Sequence, residues 1–335
     1  MASDLDSVDR KLLNVLQSSF PLVEDPFDDL AETLGIDRSD VMARVGVLKD
    51  KNVVRQISAI FDTRRLGYKT VLVAMSLPPD KLDDGAHMIN EHPGVSHNYG
   101  RNGPFNLWFT VAVRPDESLE DTVEDMAQRA GADSYRLMPT IKFFKIGVNF
   151  DMVKKEGAAD EYYSPDGFNS SDGQDWKRVE PVSDFEIEVI KELQEDLVLE
   201  PRPFEPMAER LGISQQELFE QAASFKARGI MRRFSAVLHH RRAGFTANSM
   251  AVWKVPEERS VEVGNLMAQS QWVTHCYERP TYPDWEYTHF TMIHATTTEK
   301  CEEVAQEISQ ATGISDYMLL YSNREYKKTR VRYFV

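Results

Sequence analysis

Apolar positions from Asp9 to Gln17 and from Phe185 to Gln194 recur at three- and four-residue spacing, which predicts amphipathic helices. Each is followed by a second helix ending at Leu34-Gly35 or Leu211-Gly212, where glycine suits a left-handed cap, and by a third opening on Asp37 or Ser214. Ser214 with Glu217 spells a capping box. Three short helices with a tight glycine turn, then β-rich stretches over Val53 to Phe61 and Gly229 to Leu238, predict a winged helix-turn-helix, twice. Beyond it the period changes from helical to alternating. Lys69 to Leu77 predicts a strand, Asp80 to Glu91 a helix, Val95 to Arg101 and Leu107 to Val113 strands, Leu119 to Ala130 a helix, and Tyr135 to Ile146 one strand. The order β-α-β-β-α-β is the ferredoxin-like plan of an antiparallel sheet with helices on one face. Its open face needs cover, so two such units are expected to pack sheet to sheet with a cleft between them.

The chain repeats itself. An offset of 177 residues lays Pro26-Phe27 on Pro203-Phe204, Leu34-Gly35-Ile36 on Leu211-Gly212-Ile213, Arg55 on Arg232, Ser58-Ala59 on Ser235-Ala236 and Arg64-Arg65 on Arg241-Arg242. After one inserted residue, Val95, His97, Tyr99 and Arg101 fall on Val273, His275, Tyr277 and Arg279. A period this long means duplicated domains rather than a solenoid. The fold class expected is therefore α+β, a tandem duplication of winged helix-turn-helix plus ferredoxin-like domain forming an internal pseudo-dimer. The expected divisions are 1–61 and 184–238 for the winged helices, 62–152 and 239–335 for the ferredoxin-like domains, and a linker over 153–183 rich in Gly, Ser, Asp and Glu.

Composition narrows the function classes. Hydrophobic residues make up 41% and charged residues 28% of 335, enough apolar material for a core and too little bias for a disordered chain. No run approaches the ~18 to 20 apolar residues that span a bilayer, and the start has no basic-then-apolar leader, so a cytoplasmic protein is expected. Cys276 and Cys301 form no CxxC pair, which argues against a disulfide framework or a structural zinc site. The net charge of −15 repels nucleic acid and anionic membrane unless a local basic patch overrides it. Each helix-turn-helix itself carries seven Lys or Arg against eleven Asp or Glu, over Met1 to Arg55 and Ser183 to Arg233. That balance predicts a retained scaffold, not a DNA reader.

Candidate chemistry lies in the strands. Alternation puts Val95, His97, Tyr99 and Arg101 on one face, and Val273, His275, Tyr277 and Arg279 on its counterpart. Guanidinium groups bind carboxylates bidentately and imidazole exchanges protons near neutral pH, so the repeated trio suggests an anionic ligand. The plain alternative is a solvated sheet face, which repetition makes the poorer explanation. In the second half the strand turn Glu278 to Tyr287 carries Tyr282, Trp285 and two prolines, suited to a flat ligand. His289 and His294 follow where the first half is expected to hold Trp108 and Val113; five apart, they should face opposite ways, with at most one in the pocket. Arg232 to Arg242 packs four Arg and two His into an acidic chain, a carboxylate patch whose His pair is Asp62-Thr63 in the first half. The halves should therefore not be catalytically equivalent.

With His97-Asn98-Tyr99 and Asn106-Leu107-Trp108-Phe109-Thr110 in one half, and Tyr277-Glu278-Arg279-Pro280-Thr281-Tyr282-Pro283-Asp284-Trp285 and Phe290-Thr291-Met292-Ile293-His294 in the other, the chain resembles the Lrp/AsnC group. Its non-regulatory branch, the siroheme decarboxylases, is the better match. The resemblance covers both halves, excludes only the linker, and implies a fused form of two related subunits. It implies loss of two acetate carboxyls from siroheme, giving 12,18-didecarboxysiroheme for haem or haem d1 synthesis. No cofactor is implied beyond the iron of the substrate, with haem or siroheme as the bound group.

On this reading Arg55, Arg101, Arg232, Arg233, Arg241, Arg279, Arg324 and Lys327 hold spectator carboxylates. Tyr99, Trp108, Tyr282, Trp285, His289 and His294 complete the substrate site, and His97, His275, His240 and Tyr277 attend the reacting acetates. His240 or His275 is equally suited to ligate the iron axially. The competing classes are a tetrapyrrole-sensing transcription regulator, which would need its helix-turn-helix, and a haem chaperone, which would bind without reacting. Siroheme is the expected partner, with no DNA and no membrane; further assembly of chains is left open.

Overall fold

The computed structural model describes residues 5–146, 178–238 and 247–335. Most of the expected linker, and the cluster from His239 to Arg242 that includes His240 and Arg241, lie outside them. The first half runs α1 (Ser7–Ser18), α2 (Pro26–Leu34), α3 (Arg38–Asp50), β1 (Val54–Phe61), β2 (Lys69–Ser76), α4 (Leu82–Asn90), β3 (Val95–Arg101), β4 (Leu107–Val113), α5 (Leu119–Ala130), β5 (Ser134–Met138) and β6 (Lys142–Ile146). The second repeats the order as α6 (Asp184–Leu193), α7 (Glu205–Leu211), α8 (Gln215–Ala227), β7 (Met231–Leu238), β8 (Ala247–Trp253), α9 (Ser260–Gln269), β9 (Val273–Glu278), β10 (His289–Ala295), α10 (Thr298–Thr312) and β11 (Tyr317–Lys328).

Local chemistry explains the helix ends. Asp6 with Asp9, Ser183 with Glu186 and Ser214 with Glu217 form reciprocal capping boxes. Gly35 and Gly212, at φ 67° and 69°, close α2 and α7 in the left-handed conformation, which costs glycine least. Asp37 starts α3 without a side-chain cap bond.

The wing is where the structure departs from expectation. β1 and β7 do not fold back within their own repeats; they pair with each other, antiparallel, as a two-stranded ribbon. Both helical trios consequently share one core, in which Phe20 of the first half meets Phe204 and Phe234 of the second at 6.2 and 6.1 Å. The C-terminal segment is stitched to this core. Tyr333 is buried there, its backbone and side chain bonded to Gln194 and to the Thr63 hydroxyl, respectively.

A second departure sets up the site. Tyr135 to Ile146 is two strands, broken after Met138 at Pro139-Thr140, and β6 leaves its own half to pair with β9. The result is a single nine-stranded sheet in the order β5-β2-β4-β3-β11-β8-β10-β9-β6. β5 and β6 are its two edges, yet only residues 139–141 separate them, a span of at most ~14 Å. The sheet must roll until its edges meet. Arg279 and Tyr282 close the seam by donating to the carbonyls of Met138 and Leu137, and Arg136 forms a two-pronged pair with Asp284. The helices cover the outside, α4 and α5 over one half and α9 and α10 over the other. Inside, Trp108, Trp285, Phe105, Phe290, Met138 and Leu320 fill one part of the space between the facing halves. Among the described residues, no helix is long and apolar enough to cross a membrane.

Candidate active site

A β-bulge at equivalent places in β3 and β9 creates the reactive row. Val95 pairs with Val111, but His97 pairs with Thr110, so Ser96 is an extra residue; in the second half Val273 pairs with Ile293 and His275 with Met292, leaving Thr274 extra. The bulge reverses the alternation. Val95 and Val273 therefore point into the helix-side cores, which corrects the expectation that they share a face with the histidines. His97, Tyr99 and Arg101 turn inward, as do His275, Tyr277 and Arg279. The displaced hydroxyls bond the imidazoles they re-aim: Ser96 Oγ lies 3.0 Å from His97 Nδ1, and Thr274 Oγ1 lies 2.9 Å from His275 Nδ1. No periodicity rule would have singled out these two hydroxyls.

Both inward faces border one cavity of about 990 Å³, roofed by the β1–β7 ribbon and the C-terminal segment. That volume is at the upper end for small-molecule sites. Among the described residues, nine Lys or Arg line it against a single carboxylate, Asp62, in a protein whose net charge is −15. Asp62 receives Arg232 at 2.7 Å and is held below the ordinary carboxylate range by Arg232 and Arg64, against the opposing effect of burial. Arg101 and Arg279 are buried, stacked over Tyr99 and Tyr277, and pinned through one nitrogen to the carbonyls of Leu320 and Met138. Neither has a carboxylate partner among the described residues, and the Nε of each has no hydrogen bond. A buried guanidinium with no carboxylate beside it is costly, so two in equivalent positions are suited to receive an anion.

The structure brings His97, His275, Tyr277, Arg55, Tyr99, Arg101, Trp108, Arg232, Arg233, Arg279 and His294 to this cavity. It places five expected residues elsewhere. His289 donates Nε2–H to the Ser260 carbonyl and stacks on Phe144. Tyr282 and Trp285 belong to the aromatic packing and seam. Arg324 pairs with Asp83 on the outside. Lys327 caps the end of α4 through the carbonyls of Asn90 and His92. The register explains the lysine: Lys327 lies opposite Asn98, which faces α4, whereas Lys328 lies opposite His97, which faces the cavity. Arg64, Lys69, Lys328 and Arg330 are the cavity cations that sequence reading left out of the site. The same pairing shows that His289 and His294 correspond to Leu107 and Ala112, not to Trp108 and Val113. The first half thus has no counterpart of His294.

Burial and surrounding cations push the three cavity histidines down, His97 and His294 to about 3 and His275 to about 4. They are neutral at pH 7. A histidine whose folded pKa is depressed contributes no penalty above its unfolded value of ~6.5 and destabilises as pH falls toward the folded value, because the unfolded chain then binds the extra proton. The ligand-free protein is thus expected to lose thermal stability steadily from pH 6.5 to pH 4, with a shallower loss in H275Q. A melting temperature flat across that window in both proteins would contradict it.

Family models match the duplicated organisation: an AsnC-like ligand binding domain over residues 65–145 and 242–327, and a siroheme decarboxylase NirDL-like HTH domain over 9–55 and 186–232. A siroheme decarboxylase from Hydrogenobacter thermophilus is 40% identical over 97% of this chain and 94% of its own. The siroheme decarboxylase beta subunit of Methanosarcina barkeri is 50% identical over 44% of this chain and 97% of its own length. Among solved structures, the siroheme decarboxylase NirDL in complex with an iron-uroporphyrin III analogue is 34% identical, with a TM-score of 0.72 over 98% of this chain and 95% of that one.

Proposed function

The chain belongs to the siroheme decarboxylase family, and on that footing we propose that siroheme binds in the rolled-sheet cavity and loses its C12 and C18 acetate carboxyls there, giving 12,18-didecarboxysiroheme for haem or haem d1 synthesis. The observation that carries this reading is the cavity's nine cations against one carboxylate among the described residues, within an acidic chain. A macrocycle with eight carboxylates supplies the missing counter-charge. Arg101 and Arg279 hold spectator carboxylates through the donors they have to spare. The reacting acetates face the histidines and aromatic rings instead, because a tight ion pair would stabilise the carboxylate ground state and slow its loss. The C–C bond breaks, CO₂ leaves, the electron pair spreads into the pyrrole, and a histidine proton quenches the methylene carbon. Bound carboxylates also raise the histidine pKa values by reversing the local field, so the substrate assists its own proton supply. His275 serves the second half and His97 the first. Iron is part of the substrate, and the heterolysis needs no redox partner.

Anaerobic incubation with siroheme is expected to give a product lighter by two CO₂, read by mass spectrometry. Full binding with no mass change would reject catalysis and leave a haem chaperone.

The recognition helix argues against the regulator. Arg44 of α3 is held by Asp6, Asp9 and Asp40, Arg38 by Asp25 and Asp28, and Lys49 by Asp196, so its cations are spent inside the protein. Anisotropy titrations with duplex DNA at ~50 mM salt are expected to show no salt-sensitive binding, whereas a steep loss of affinity toward ~200 mM would favour the regulator.

A further inference from the structure

Thr274 touches two histidines at once. Its hydroxyl lies 2.9 Å from His275 Nδ1 and 3.0 Å from His294 Nδ1, while its other neighbour, the Met292 carbonyl, is at 3.4 Å, long for an O–H donor. The bulge puts the hydroxyl there, and it happens in one half only: Ser96 meets His97, and the place of His294 is taken by Ala112. A hydroxyl has one proton to give and lone pairs to receive. If it donates to the His275 Nδ1, the His294 Nδ1 is left to be the donor, to the hydroxyl or to the Met292 carbonyl that this ring also meets; if it donates to His294, His275 must donate to it.

We propose that Thr274 is a positioning residue that locks His275 and His294 in opposite tautomers, so that one Nε2 carries a proton and the other a lone pair. Both rings border the cavity, and the inference rests on reading that cavity as the decarboxylation site. The arrangement makes the pair a relay. When the protonated Nε2 gives its proton to the methylene carbon, the threonine hydroxyl proton moves to that ring's Nδ1. The hydroxyl is refilled from the Nδ1–H of the other ring, whose Nε2 takes a proton from water. One solvent proton is consumed for each CO₂ released, which balances conversion of the acetate to a methyl group. The tautomers end exchanged, and the pair remains neutral throughout.

The test begins with the ligand-free wild-type protein carrying ¹⁵N-labelled histidine, its two resonances assigned with H275Q and H294Q. One ring is expected as the Nδ1–H tautomer and the other as Nε2–H. Finding both in the same tautomer, as donation to the Met292 carbonyl would require, overturns the proposal. With siroheme, T274V is expected to lower kcat by ~10- to 100-fold with KM unchanged and an altered pH profile, and T274S to restore most of the rate. Wild-type kcat and pH profile in T274V would also overturn it. If T274V does not fold, the tautomer measurement decides alone. Failure of the wild-type protein to release CO₂ would instead defeat the decarboxylase reading itself.

Discussion

His275→Ala is expected to lower kcat for siroheme decarboxylation by ~10²- to 10⁴-fold, the range for losing a positioned proton donor, with ligand affinity nearly unchanged. Affinity should survive because, on the proposed assignment, the carboxylates fall to guanidinium groups on other residues that line the cavity, Arg101 and Arg279 chief among them. His97→Ala should slow turnover at least as much, since the first half has no second imidazole to take over the proton. Stopped-flow absorbance for binding and product mass for turnover separate the two quantities. A fully active His275→Ala would remove the second-half histidine from the chemistry.

Trp285→Ala should destabilise the fold by ~3–5 kcal/mol, the usual cost of deleting a buried large aromatic side chain. Trp285 is 2% exposed and meets Trp108 at 5.3 Å, Phe105 at 5.7 Å and Phe290 at 6.1 Å, so its ring joins the two facing half-sheets. Its indole nitrogen makes no hydrogen bond, and Trp285→Phe should therefore retain most of the stability. Urea unfolding monitored by circular dichroism checks both variants. The same pair tests the placement of this ring outside the cavity: Trp285→Phe should bind siroheme as the wild type does, and a large loss of affinity would return Trp285 to the ligand's wall.

The duplication, the helix order and the histidine-tyrosine-arginine row could be read directly, because each depends on local periodicity or on residues a few positions apart. What escaped depends on pairing between distant segments. Nothing in Val54 to Phe61 says that its partner is Met231 to Leu238 of the other half, and nothing before Pro139 says that the next five strand residues will cross to the other half of the sheet. The lysine misplacement is of the same kind. Lys327 and Lys328 are adjacent and chemically equal, and only the shifted register between β11 and β3 decides which enters the cavity. Bulges are equally silent in sequence. Ser96 and Thr274 read as ordinary strand residues, yet the extra residue at each flips a valine outward and sets a hydroxyl against an imidazole. The structure packs Tyr282 and Trp285 at the seam and in the aromatic cluster, which sequence alone does not announce, since an aromatic ring that packs and one that stacks on a ligand leave the same mark.

Co-crystallisation with an iron uroporphyrin bears most directly on the rolled-sheet cavity as the place of reaction. The macrocycle is predicted to lie between the two half-sheets under the β1–β7 ribbon, with carboxylates on Arg101 and Arg279 and with His97 and His275 beside its ring substituents. A ring bound anywhere else, with the Nε atoms of both arginines still unpartnered, would contradict it.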